Sequence, residues 1–169
     1  VNPDFEHRLL TSMVPSVSLC YRGIIDTLTP MCGSEIEILL GAAVTASLRF
    51  NFPDVSVLCP FGDIGKWQDK RCMMIVPQYL FENYRIDFAL IGNRPNDNFR
   101  KMMFIECDGH DFHERTKDQA ARDRKKDRDI QIAGVPLLRF TGSEIFRDPF
   151  ECVVQICKLY QKLKDDHDQ

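Results

Sequence analysis

The chain has 169 residues, 44% hydrophobic and 28% charged, with 22 Lys and Arg against 25 Asp and Glu for a net charge of −3. That length suits one domain with a sizeable core. The composition excludes a disordered tail, a collagen-like fibre and an obvious membrane protein, since no apolar run approaches the roughly 20 residues that span a bilayer. Mild acidity argues against indiscriminate, purely electrostatic binding of nucleic acid. Seven cysteines, at 20, 32, 59, 72, 107, 152 and 157, form no CxxC pair. This argues against a disulfide framework or a four-cysteine zinc site, and a reducing, cytoplasmic location is expected.

Residues 1–33 contain Pro3, Pro15 and Pro30 and show no sustained period. They are expected to form an N-terminal extension wrapped on a domain occupying 34–169. Ser34 opens a helix to about Phe50, with Glu37 at capping-box spacing and nearly continuous apolar content, so the helix should be largely buried. A loop with Pro53, Pro60, Gly62 and Gly65 follows, then three strand-like runs at 71–81, 83–92 and 100–109. The turn-rich NRPNDN segment pairs the last two as an antiparallel hairpin. A highly charged helical pattern covers 114–133 and ends at Gly134; 135–140 reads as a short buried strand. Asp148-Pro149 then starts a last amphipathic helix to about Leu163. The order is that of an α/β sandwich with a mixed sheet.

The informative residues are acids inside apolar strands. Asp87 interrupts Ile86 and Phe88, and Glu106 and Asp108 follow Met102, Met103, Phe104 and Ile105. Strand alternation points Glu106 and Asp108 the same way, and the hairpin brings Asp87 alongside. Clustered carboxylates raise one another's pKa, and a hard cation such as Mg²⁺ relieves the conflict. The plainer alternatives are an Asp108-Gly109 turn and a Glu106–Arg85 ion pair. Downstream, His110 and His113 could handle protons near a metal-bound water, touch phosphate, or be loop residues without a role. With Cys107 they could also contribute to a zinc site that lacks its fourth ligand. Between 114 and 129 lie seven basic and five acidic residues. Lys117, Arg124 and Arg128 form one stripe, either a phosphate-tracking edge or a solvated face. Ala120, Asp123, Ile130 and Ala133 form the opposite, inward edge.

Taken together, Glu37 in a helix, PQ-x-YR-x-DFA, ECDG-x-x-x-H, the charged helix and G-V-x-LLRF resemble the PD-(D/E)XK nuclease superfamily. The likeness is to the branch of small endonuclease-like domains related to very short patch repair endonucleases, and it covers roughly 34–147. It implies a restriction-endonuclease-like αβββαβ core with a mixed sheet flanked by helices. It also implies Mg²⁺-dependent hydrolysis of DNA, with Mn²⁺ as a substitute, and DNA rather than a membrane as partner. Residue by residue, Asp87 matches the first metal-binding acid, Glu106 the acid of the second motif, and Glu37 the supporting helical acid. Asp108 is expected to share the metal, His113 to assist proton transfer, and Lys117, Arg124 and Arg128 to contact the DNA backbone. Gln78, Asp123 and Arg139 also match recurrent positions. The superfamily's usual lysine two residues after the acid is missing: Asp108 stands there, and His113 or Lys117 would have to supply the cation. A module of the same fold with impaired catalysis, binding nucleic acid or protein, is the alternative.

Overall fold

The computed structural model describes residues 21–52, 56–94, 99–109 and 117–165, with the side chains of 99, 100, 117 and 118 left aside. Residues 21–28 form a helix, α1. Helix α2 (Glu35–Asn51) follows, then strand β1 (Ser56–Leu58), a 3₁₀ segment (Phe61–Trp67), β2 (Cys72–Phe81), β3 (Tyr84–Arg94) and β4 (Phe99–Asp108). The chain continues through α3 (Lys117–Ile132), β5 (Leu137–Thr141), α4 (Gly142–Arg147) and α5 (Pro149–Asp165). Residues 1–20 of the expected extension lie outside the described residues, whereas Ile24 and Leu28 of α1 are buried in the main core.

The five strands stand in sequence order. The edge strands β1 and β5 run parallel to their neighbours, and β2, β3 and β4 are mutually antiparallel. The expected hairpin of β3 and β4 is present, and the sheet is mixed as expected. Alternation sends Ile75, Leu90, Met103 and Ile105 to a face covered by α1, α2, α4 and α5. Met74, Val76, Ala89, Ile91 and Phe104 go to the opposite face, where Ile130 of α3 and Trp67 of the 3₁₀ segment pack.

Capping residues bound the helices as the sequence signals. Ser34 Oγ accepts from Glu37 N at 3.4 Å, and Asp148 Oδ1 accepts from Phe150 N and Glu151 N at 3.0 and 3.1 Å. Helix α3 closes on Gly134, whose φ of 69° suits glycine; Gly134 N donates to Gln131 O and Val135 N to Ile130 O. That turn sends the chain straight into β5.

Helix α2 lies hard against the sheet because Gly41 has no side chain. A Cβ there would stand 2.8 Å from Phe88 Cζ. Glu37, one turn earlier on the same helix face, is thereby held over the residue preceding Phe88.

Candidate active site

The sheet loses its regular alternation at one level. In β2, Val76 belongs to the α3-side core, and so does Tyr79, three residues on. In β3, Ile86 packs on the α3 side and Phe88, two residues on, packs on the α2 side. Between the paired residues Pro77↔Phe88 and Tyr79↔Ile86, Gln78 and Asp87 fall opposite each other. Gln78 has φ 51°, a left-handed conformation costing about 1–2 kcal/mol for a residue with a side chain. Such strain persists only where the surroundings impose it, commonly at functional sites. The β3–β4 ladder also ends here: Phe88↔Ile105 is its last pair.

Asp87 stands just past that end. Its Oδ2 accepts from Cys107 N at 2.7 Å, which places its carboxylate beside the backbone joining Glu106 to Asp108. Burial, the charge of Glu106 and the weaker charge of Glu37 push the Asp87 carboxyl up to about 7. The Cys107 hydrogen bond and the Lys126 ammonium pull the other way without cancelling the rise. Three carboxylates, Glu37, Asp87 and Glu106, therefore share one electrostatic neighbourhood.

Each of the other two is fixed by neighbours. Glu37 is buried; its Oε2 accepts from Gly33 N at 2.8 Å and Gln78 Nε2 at 2.7 Å, and its Oε1 from Ser34 Oγ at 2.8 Å. It caps α2 and reaches the site at once. Glu106, 6% exposed, accepts a charge-assisted bond from Lys126 Nζ at 2.7 Å, and Lys126 also donates to Arg85 O at 3.0 Å. The close ion pair that Glu106 makes is thus with Lys126 on α3, with Arg139 Nη2 farther off, 4.0 Å from its Oε2. Asp108, also buried, spends both oxygens on Arg139: Oδ2 from Nε at 3.1 Å and Oδ1 from Nη2 at 2.9 Å. Arg139 Nη1 continues to Asp127 Oδ1 at 2.6 Å. β5 presents Arg139 there because it pairs in register with Glu106.

Of the expected inward edge of α3, Ile130 is buried and Ala120 and Asp123 are half-buried, but Ala133 is exposed and further residues turn inward. Lys126, Asp127, Asp129 and Ile130 meet the sheet, and Tyr84 Oη donates to Asp129 Oδ2 at 2.5 Å. The helix docks largely through ion pairs and hydrogen bonds, which an apolar-periodicity reading does not see. Arg124 and Arg128 are exposed, and Arg124 Nε folds back onto Ala120 O at 3.1 Å. Asp123 is half-buried and has an interaction partner. Lys117 is the first residue of α3, its side chain outside the described residues, as are His110 and His113. The thiol of Cys107 is pushed strongly up by burial and the surrounding carboxylates, and that of Cys32 to about 12 by burial, Glu37 and Asp87. Neither thiol is a ready thiolate ligand.

Among the described residues, no group of three His, Cys, Asp or Glu side chains is arranged to hold a metal ion as it stands. Asp87 and Glu106 nevertheless fit a hard divalent cation. They are two oxygen donors close enough that the charge of Glu106 raises the Asp87 carboxyl, and Gln78, opposite Asp87, carries a buried Oε1 without a hydrogen-bond partner. Asp108 fits only if Arg139 releases it.

Lys126 is the functional candidate that sequence reasoning missed. Its signal lay in the spacing to Ile130: a residue four before the buried apolar anchor shares that anchor's face.

Comparison with known proteins gives one family. The family model REase_MTES_1575, a restriction-endonuclease-like family, matches residues 67–159, which takes in β2 through most of α5. No curated protein and no solved structure matches the chain. The matched segment exceeds half the chain and contains Gln78, Asp87, Glu106, Lys126 and Arg139, and the mixed five-stranded sheet flanked by helices is the fold that family implies. The chain belongs to the restriction-endonuclease-like family REase_MTES_1575.

Proposed function

We propose that the protein hydrolyses phosphodiester bonds in DNA with a divalent cation, Mg²⁺ or Mn²⁺, held by Asp87 and Glu106. The observation that carries this reading is the gathering of Glu37, Asp87 and Glu106 where the β3–β4 ladder ends, with the Asp87 carboxyl raised to about 7. When bound, such a cation would polarise a phosphoryl oxygen and lower the pKa of a water near it.

The chain's own residues do the rest. Glu37 and Gln78 orient the site from α2 and β2 through their 2.7 Å bond. Lys126, beside Glu106, takes the place of the cation missing two residues after the acid, and its ammonium stabilises charge developing on the attacking or leaving oxygen. Arg139 holds Asp108 and Asp127, and so fixes α3 and β5 relative to β4. In this reading His113 assists proton transfer, and Lys117, Arg124 and Arg128, one stripe on α3, make phosphate contacts that position the strand without reading its bases. The likeness to very short patch repair endonucleases supports nicking of one strand. No helix among the described residues is long and apolar enough to cross a membrane.

Incubation of supercoiled plasmid with Mg²⁺ tests this: nicking is expected with the wild type, and neither Asp87→Ala nor chelator-treated protein should nick. Full activity in either refutes it. The two cations already paired with Glu106 and Asp108 favour a second reading, a binding module that has lost its chemistry. Calorimetric titration with Mn²⁺ separates them, because that module gives no binding heat.

A further inference from the structure

Gln78 carries two features that pairing within the sheet does not explain. Its backbone is left-handed, with φ 51°, and its side-chain Oε1 is buried without a hydrogen-bond partner. A buried acceptor without a donor bears the full desolvation cost of that oxygen, and folded proteins keep few of them. The amide does not escape this cost by turning over. Gln78 Nε2 donates to Glu37 Oε2 at 2.7 Å, and the same carboxylate accepts from Gly33 N and Ser34 Oγ at 2.8 Å each. Exchanging the two amide atoms would set an oxygen against a carboxylate oxygen, so Nε2 stays on Glu37 and Oε1 is left for another partner.

That oxygen belongs to the neighbourhood where the carboxylates gather. Gln78 reaches Glu37 on α2, Asp87 falls opposite Gln78 in β3, and the charge of Glu37 is felt at Asp87. An oxygen that no N–H or O–H satisfies is a ready ligand for a hard cation, which takes amide carbonyls alongside carboxylates. A neutral donor also suits this place electrostatically. A further carboxylate in β2 would push the Asp87 carboxyl up again, whereas an amide adds an oxygen and no charge. The left-handed φ fits the same account, because such conformations persist where the surroundings impose them.

We propose that Gln78 Oε1 is a third oxygen ligand of the divalent cation, beside Asp87 and Glu106, aimed by the bond from Nε2 to Glu37. This role presupposes the cation site proposed at Asp87 and Glu106. Two measurements on the full chain test it. In protein labelled with ¹³C at the glutamine side-chain carbonyls and loaded with Mn²⁺, electron–nuclear double resonance should show the ¹³C coupling of a directly ligated carbonyl, lost in Gln78→Glu. Calorimetry with Mn²⁺ at pH 8 compares Gln78→Leu with Gln78→Glu, both of which lose the donor to Glu37. Leucine should weaken binding about tenfold or more, and glutamate, which keeps an oxygen for the cation, should recover most of that loss. Equal weakening in both variants, with no ¹³C coupling in the wild type, means that Gln78 only holds Glu37 and overturns the ligand role. If Gln78→Leu does not fold, the coupling in the wild type decides. Its absence in wild-type protein whose Mn²⁺ binding is lost in Asp87→Asn overturns the role of Gln78 and leaves the Asp87–Glu106 site standing. No Mn²⁺ binding by the wild type removes both.

Discussion

Asp87→Asn isolates what one buried charge costs the fold. The carboxyl titrates near 3.8 when unfolded and near 7 in the native protein, raised first by burial and then by Glu106. Between those values the native state binds more protons than the unfolded state. Stability therefore falls as pH rises through the window, and the full loss is reached above about pH 7. A rise of roughly three pKa units corresponds to about 4 kcal/mol, a ceiling because solvent on the residue's open side screens the charge. Asparagine keeps an oxygen for the Cys107 N–H and carries no charge. Urea denaturation of both proteins in chelator from pH 4 to 8 reads the difference directly, since the other titrating groups are common to both. The variant and wild type should agree near pH 4, and the variant should become the more stable by a few kcal/mol at pH 8. Mg²⁺ at a hundred times its dissociation constant should then restore the wild type by about 2.7 kcal/mol and leave the variant unmoved. A stability difference that stays flat across the whole range would refute the electrostatic argument.

Three further changes test the surroundings. Lys126→Met removes the closer of the two cations paired with the buried Glu106, leaving only Arg139 Nη2 at 4.0 Å, so thermal and urea melts should show a loss of about 3 kcal/mol. If Lys126 acts as proposed, the same variant should lower kcat for nicking about a hundredfold with little change in DNA affinity. Arg139→Leu removes the guanidinium that Asp108 and Asp127 share, with a similar cost. Adding Asp108→Asn should recover part of it, and a double-mutant cycle that sums to zero would show that the pair is not coupled. Gly41→Ala drives a methyl to 2.8 Å from Phe88 and should destabilise by about 1–3 kcal/mol. It should also impair metal binding, because α2 carries Glu37; calorimetry on the folded variant checks that.

Much of the fold was legible because its elements carry local signals. The Ser34–Glu37 spacing, the apolar runs of β2, β3 and β4, Gly134 and Asp148-Pro149 each appear in the structure at the expected place. β1 was hidden because three residues between prolines are too short for a period, and its identity comes from pairing with Met73, Met74 and Ile75. Helix α4 carried a readable signal that went unused. Thr141 and Glu144 form a reciprocal capping box, with Glu144 Oε2 accepting from Thr141 N at 2.8 Å. In the site, Asp87 and Glu106 were visible as acids breaking an apolar pattern. The partners were not: which cation meets Glu106 depends on how α3 rolls on the sheet, and that roll is decided by Tyr84, Asp129, Lys126 and Arg139 acting across distant segments.

The same interactions explain how a carboxylate cluster survives folding before any cation arrives. Glu106 is neutralised by Lys126, Asp108 by Arg139, and Glu37 by a capping turn and the Gln78 amide. Among the described residues no cation is in contact with Asp87; its carboxylate accepts from the neutral Cys107 N–H, and it absorbs the mismatch by taking up a proton near neutral pH. Metal binding must then displace that proton, so apparent affinity should climb with pH until Asp87 is ionised and level off above about 7. Lys126 and a divalent cation compete as counter-charges for Glu106. The competition predicts that Lys126→Met, for all its cost to the metal-free fold, binds Mn²⁺ more tightly than the wild type. Weaker Mn²⁺ binding in a folded Lys126→Met protein would mean that the lysine and the ion do not share Glu106, and the site would have to be rebuilt around Asp87 and Glu37.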